Sequence, residues 1–261
     1  MRKVKIGKHI VEMYDSIEDL PILRFHKYQK LLLINSGIGG SIADFDRRIE
    51  KARRYLIDNK PNMAEIELQN MRQCFYMMQE EISPKHLAFA VLVKSIDGKE
   101  YNEITDDSLK ETMSILNDTR YGDLADLMDS VKKKIDSELT LYFPKAFDDW
   151  TSKDFYEKVR KRTLLILENI ANGIEAPDKA DNVERITTEM LTYGGSNTFI
   201  GADSTEIQYD RQFENLCLSI SHELNVNPKQ FTVLEFYNAF EYLKEKAKAE
   251  REAAKKARKR G

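Results

Sequence analysis

The sequence predicts a mainly α-helical protein. Apolar residues recur at three- and four-residue spacing along most of its 261 positions, the period of a helix that buries one stripe. Helix-start and helix-stop residues bracket these runs. Only 11 glycines and 6 prolines are present, too few for the turn punctuation of an all-β chain. The expected organisation is a multi-helix N-terminal domain over 1–173, a linker and Gly-rich loop over 174–208, and a small C-terminal helical module with a basic tail over 209–261.

In chain order, Val4 to Ile10 alternates weakly and suits a short strand or an ordered arm. Ser16 to Asp19 reads as a helix start, with Pro21 close behind. Ile22 to Ile34 is strongly apolar at helical spacing and stops at Gly37, followed by Gly39 and Gly40. Ser41 and Asp44 form a start signal for the next helix, which places Ile42, Phe45, Ile49, Ala52, Arg53 and Leu56 down one side and ends near Pro61. A third helix spans about Met63 to Glu81, with Ile66, Met71, Phe75, Met78 and Ile82 as its apolar row. Ser83-Pro84 opens another, containing Leu87, Ala90, Val91 and Val93, and Asp97-Gly98 makes a turn. Thr105 to Ser108 cap a helix through Leu116, Leu124 to Ile135 continue the pattern, and Pro144 closes it. A helix from Thr151 ends near Gly173, a short one covers Val183 to Leu191, and a last helical unit runs from Tyr209 to about Lys248.

Hydrophobic residues make up 41% and charged residues 33% of the chain, a balance that fits helices with one apolar stripe and a charged outer face. Net charge is -3, so the chain as a whole has no nucleic-acid signature. Charge is unevenly placed: residues 244–261 hold nine Lys/Arg against three Glu, which makes an acidic body with a basic tail. The tail cations Lys255, Lys256, Arg258, Lys259 and Arg260 are candidates for contact with an anionic partner, whether an acidic surface or a nucleic acid. The first residues lack the apolar segment of a signal peptide, and no apolar run approaches the length of a membrane span. No membrane partner is expected, and Cys74 and Cys217 are expected as buried, reduced thiols in a reducing cytoplasm.

Motifs that carry chemistry are missing. His9, His26, His86 and His222 have no metal-ligand spacing. The GIGGS segment at 37–41 lacks the lysine of a phosphate loop and reads as a helix-to-helix turn. The acidic pairs Asp106-Asp107 and Asp148-Asp149 are ordinary helix-start residues, and Ser219 and Ser221 lack the setting of a hydrolase nucleophile. The expectation is a binding protein rather than an enzyme, with no cofactor and no metal.

The pattern T-x-x-[DE]-F-Y occurs twice, at Thr151 to Tyr156 and Thr232 to Tyr237, and in each the Thr and the acid can cap a helix. The second copy opens an aromatic row, so Phe231, Thr232, Glu235, Phe236, Tyr237, Phe240 and Tyr242 are the candidate protein-binding residues. One face of that helix is expected to pack on Phe213, Leu216, Ile220 and Leu224, leaving aromatic surface for a partner.

The segment Asn227-Pro228-Lys229-Gln230-Phe231-Thr232-Val233-Leu234-Glu235-Phe236-Tyr237 resembles the short C-terminal module of tail assembly chaperones of tailed bacteriophages. Such modules carry a small helical stretch, a Pro and a Thr-x-x-Glu-aromatic helix start; many have a Trp after the Pro, near where this chain has Phe231. Leu20 to Ala52 is similar to structural-module proteins of phages that infect gut Bacteroides-type hosts. Together these segments span about a third of the chain. The resemblance implies a non-enzymatic role in virion assembly, with other virion or tail proteins as partners, either as a chaperone for a tail or tape-measure segment or as a neck or tail component.

Overall fold

The protein is described by a computed structural model over residues 1–116, 121–147, 150–192 and 195–258, without the side chains of 121–123, 150–153, 156 and 257–258. In chain order the elements are β1 (Arg2–Ile6), β2 (His9–Met13), α1 (Ile22–Gly37), α2 (Ile42–Ile57) and α3 (Pro61–Gln79). Then come α4 (Pro84–Val91), β3 (Val93–Ile96), β4 (Lys99–Glu100), α5 (Asp106–Leu116), α6 (Tyr121–Tyr142) and α7 (Pro144–Phe147). The chain finishes with α8 (Trp150–Ala171), α9 (Asp181–Leu191), α10 (Thr205–Leu224) and α11 (Val233–Arg258). Helix dominates, as expected.

The chain forms two compact units, neither continuous in sequence. One contains Met1–Ile34, Pro84–Ala146 and Glu206–Gly261; the other contains Asn35–Ser83 and Phe147–Thr205. This differs from a boundary near residue 174. Composition marks where turns fall, whereas these units are defined by pairings between segments far apart in sequence.

In the first unit, one antiparallel sheet has the order β1-β2-β3-β4. Val11 on β2 pairs with Val4 on one side and Ile96 on the other. Asp97 and Gly98, with φ of 51° and 84°, join β3 to β4 in the two-residue hairpin geometry that needs positive φ at both positions. Val93, expected in the helix from Pro84, is strand. A short, largely buried apolar run cannot be assigned from periodicity alone. Ser16 to Asp19 is a turn rather than a helix start, consistent with the extended backbone that Pro21 imposes on the residue before it.

That turn has a structural task. The N–H of Leu234 donates to Ile17 O (3.0 Å), that of Val233 to Leu20 O (2.9 Å), and that of Ile22 to Phe231 O (2.9 Å). The first N–H groups of α11, which have no partner inside the helix, are therefore met by residues more than 200 positions earlier. Arg24, buried beside this junction, donates from Nη1 to Val91 O (2.7 Å) and Val93 O (3.1 Å), tying the α4–β3 join to α1.

In the second unit, α2 and α3 form a helical hairpin with Ser41 level with Cys74 and Arg48 level with Glu67. Its interior is polar. Glu67 is 0% exposed and accepts from Arg48 Nη1 (3.2 Å), pairs with Lys51 Nζ (2.9 Å) and accepts from Ser196 Oγ. The Gly-rich stretch, expected as loop, is held against the hairpin: Lys51 donates to Gly195 O (2.8 Å) and Asn70 Nδ2 to Asn197 O (2.9 Å). A Cβ on Gly37 would lie 2.1 Å from the Phe199 ring, so glycine is what lets that ring sit there. On α9, Glu184 and Thr188 both engage Arg54 of α2. Among the described residues of 174–208, α9 is thus held against α2 and residues 195–197 against the hairpin.

The apolar rows expected to line the core of this hairpin are corrected. Ile42 (69% exposed), Ile49, Leu56 and Phe75 face solvent, while the buried positions on α3 are Ala64, Glu67, Asn70 and Cys74. Ala52 of the expected α2 row is buried and Ile66, Met71 and Met78 of the α3 row are half-buried, but the most deeply packed side of the hairpin mixes Arg48, Tyr55, Glu67 and Asn70 with Ala52, Ala64 and Cys74.

Candidate protein-binding site

Where α1, α10 and the first turns of α11 meet in the first unit, they leave an apolar cavity of about 170 Å³. Its walls include Phe25 and His26 of α1, Tyr209, Phe213 and Leu216 of α10, and Phe236 and Tyr237 of α11. Each wall follows from helix spacing: 209, 213 and 216 lie on one face of α10, and Phe236-Tyr237 opens α11 just after its cap. The rings pack closely. His26 stacks on Phe213 (4.1 Å between centroids) and Tyr209 (4.7 Å), Phe213 lies 5.7 Å from Phe236, and Tyr237 meets Phe25 edge-on at 6.3 Å. Gln212 at the rim is exposed, so the cavity opens outward.

Of the lining side chains, His26 is tied to charged groups outside the cavity wall. Asp210 accepts from Lys30 Nζ (2.7 Å) and lies 2.9 Å from His26 Nε2. Burial lowers the His26 pKa, against the pull of Asp210 towards the charged form. Burial would raise Asp210, but Lys30 and His26 hold its carboxyl below the ordinary range. Burial pushes the Tyr237 phenol up to about 12 and raises that of Tyr209 as well. Among the described residues no cluster of three His, Cys, Asp or Glu could hold a metal.

The candidate binding residues on α11 divide into three groups. Thr232 and Glu235 form a capping box: the Thr232 N–H donates to Glu235 Oε2 (2.8 Å), and the Glu235 N–H donates to Thr232 Oγ1 (3.3 Å). Phe236 is 2% exposed and belongs to the core, which corrects its assignment to a partner surface; the adjacent Tyr237 is covered by Phe25 and by Phe143, 5.4 Å away. Phe231 and Phe240 are half-buried, and Tyr242 is exposed. Of the α10 row expected against this helix, Phe213 lies against Phe236 and Ile220 is fully buried, while Leu216 and Leu224 are half-buried. N-terminal residues cover the far side of the aromatic row because α1 packs there, a long-range fact with no local signal.

The basic tail continues α11 as helix, with Lys255 and Lys256 exposed. The side chain of Arg258, together with Lys259 and Arg260, lies outside the described residues, as do the side chains of Thr151 and Tyr156 in the first copy of the repeat. The GIGGS turn joins α1 to α2, and Asp44 fills the place a phosphate would need, accepting from the Gly40 N–H (3.2 Å) and the Ser41 hydroxyl (2.7 Å). Cys74 and Cys217 are both free and buried. No helix among the described residues is long and apolar enough to cross a membrane.

Comparison with known proteins found no match among family models, curated proteins or solved structures.

Proposed function

We propose that this protein acts by binding other proteins, as a non-enzymatic assembly factor or structural component of a tailed-phage virion. The cavity between α1, α10 and α11 is the observation that carries the binding reading. At about 170 Å³ it is smaller than the usual range for a metabolite pocket, roughly 300–1,000 Å³. It is close to the dry cavity of about 150 Å³ that takes one benzene ring. A single aromatic or aliphatic side chain of a partner segment suits it, with Tyr242 and Phe240 along α11 offering further apolar contact. The link to phage tails rests on the resemblance of residues 227–237 to tail assembly chaperone modules, whose helix start here forms one wall.

Co-expression with tail and tape-measure proteins of a tailed phage tests this reading. The full chain should co-purify with one of them, and Leu216→Trp, which fills the cavity, should abolish that while leaving the melting temperature unchanged or raised. Undiminished capture by the filled variant would remove the cavity from the reading. Failure to capture any virion protein, or a gene lying far from capsid, portal and tape-measure genes, would remove the phage role.

A second reading, contact with an anionic partner such as nucleic acid, is favoured by the run of α11 beyond its last buried residues, where Lys244 to Lys256 sit on exposed helix. Binding through it should weaken steeply with salt and vanish on truncation after Lys248 with the fold intact.

A further inference from the structure

We propose that the outward face of the α2–α3 hairpin is a self-association surface that joins two copies of this chain, each α2 lying antiparallel along the α3 of the other. The hairpin is apolar on the wrong side for an isolated molecule. On α2, Ile42, Ile49 and Leu56 are seven residues apart and 69%, 45% and 60% exposed; on α3, Leu68 and Phe75 are seven apart and 49% and 46% exposed. Helical rotation puts each row about a quarter turn from the buried residues of its own helix, Arg48 and Glu67. Because the hairpin is antiparallel, both rows fall on the same open side. The opposite side is already occupied by Ser196 and Asn197. A helix pair with one packed face and one bare apolar face is half of a four-helix bundle.

The occupant is indicated by charge. Beyond the apolar rows, the rim carries Asp46 and Arg53 on α2 and Glu65 and Arg72 on α3, one acid and one base on each edge. Asp46 and Glu65 make no side-chain hydrogen bond or ion pair among the described residues. Among the described residues Arg53 is engaged by its helical neighbour Glu50 alone, and Arg72 by Tyr76. The hairpin's register makes this rim complementary to itself. With Ser41 level with Cys74 and Arg48 with Glu67, a two-fold axis parallel to the helices brings Asp46 within about one helical turn of the second copy's Arg72, and Arg53 equally near its Glu65. Each contact occurs twice. The alternative, α2 against α2, sets Asp46 by Arg53 but brings the two Glu65 carboxylates together. The area is sufficient: 16 residues of α2 span about 24 Å, and two helices side by side about 20 Å, giving on the order of 1,000 Å² buried over both copies, the lower limit of a specific interface.

Sedimentation velocity of the full chain across a wide concentration range tests the proposal, with helical circular dichroism confirming each variant's fold. The parent should form a dimer. Ile49→Glu should be monomeric, and Asp46→Arg should weaken dimerisation about tenfold, the scale of losing two rim ion pairs and adding repulsion. Combining Asp46→Arg with Arg72→Asp should restore the dimer; restoration by Arg53→Asp instead would overturn the α2-to-α3 arrangement. A parent that stays monomeric throughout, a dimer indifferent to Ile49→Glu, or a face protected only when a different protein is added would each overturn the assignment. These outcomes do not depend on the cavity in the other unit.

Discussion

The start of α11 and the α2–α3 hairpin handle the same helical alphabet in opposite ways. In α11 the buried side chains are Val233 and Phe236 and the charges face water; in α2 and α3 the buried set includes Arg48, Tyr55, Glu67 and Asn70, while Ile42, Leu56 and Phe75 face water. The difference lies in what each helix packs against. α11 meets the apolar faces of α1 and α10, and its exposed backbone is met by Ile17 and Leu20. The hairpin meets the backbone of residues 195–197, whose carbonyls need donors, so Lys51 and Asn70 are drawn inward and Glu67 balances the cations. A polar interior of this kind sets geometry more than it adds stability, because each charge loses water on burial. It also frees the neighbouring apolar stripe for another surface.

The contrast can be broken most sharply at Glu67. Glu67→Ala strands Arg48 and Lys51 without their counter-charge and should cost about 3–5 kcal/mol in urea unfolding. A loss below about 1 kcal/mol would mean that the polar interior is not what holds the hairpin. In the apolar unit, Phe236→Ala should cost about 3 kcal/mol, at the low end for a buried ring because Phe236 already borders a cavity. Tyr242→Ala on the same helix should stay within about 0.5 kcal/mol, and equal losses at the two positions would place Tyr242 in the core. Gly37→Ala should cost about 1–3 kcal/mol, since its Cβ must displace the Phe199 ring; an unchanged unfolding midpoint would show that the ring moves freely.

The smallest effect is a pH dependence. Burial depresses the His26 pKa, so the unfolded chain takes up that proton first. Its contribution to stability is complete above the ordinary histidine value of about 6.5 and declines as pH falls below it. Asp210, also depressed, loses its share only in the carboxylate range. The melting temperature should therefore drop between neutral and mildly acidic pH, and His26→Phe should flatten that part of the profile. A variant with the parent's slope would assign it to other groups.

Local signals in this chain proved legible where one residue acts on its neighbours. Ser41 with Asp44, Thr105 with Ser108 and Thr232 with Glu235 mark helix starts, and each makes the cap hydrogen bond its spacing implies. The packing of Phe213 against α11 was also readable, because two consecutive helices with a short connection tend to pack side by side. Asp97-Gly98 carried a hairpin signal that identified the turn but not Val93–Ile96 as the strand before it. The cavity was only half visible. Its α10 and α11 walls lie in one short stretch, whereas Phe25 and His26 arrive from almost 200 residues away.

The sequence by itself determined the helical class, most helix starts and the existence of the apolar stripes, because capping and periodicity act over a few residues. Tertiary structure alone decided which side of each stripe would be buried. Helical spacing fixes the angle between two side chains on one helix, but not the direction of the partner. That direction is set by distant pairings such as Ile17 with Leu234 and Asn70 with Asn197, whose backbone groups would otherwise go unmet.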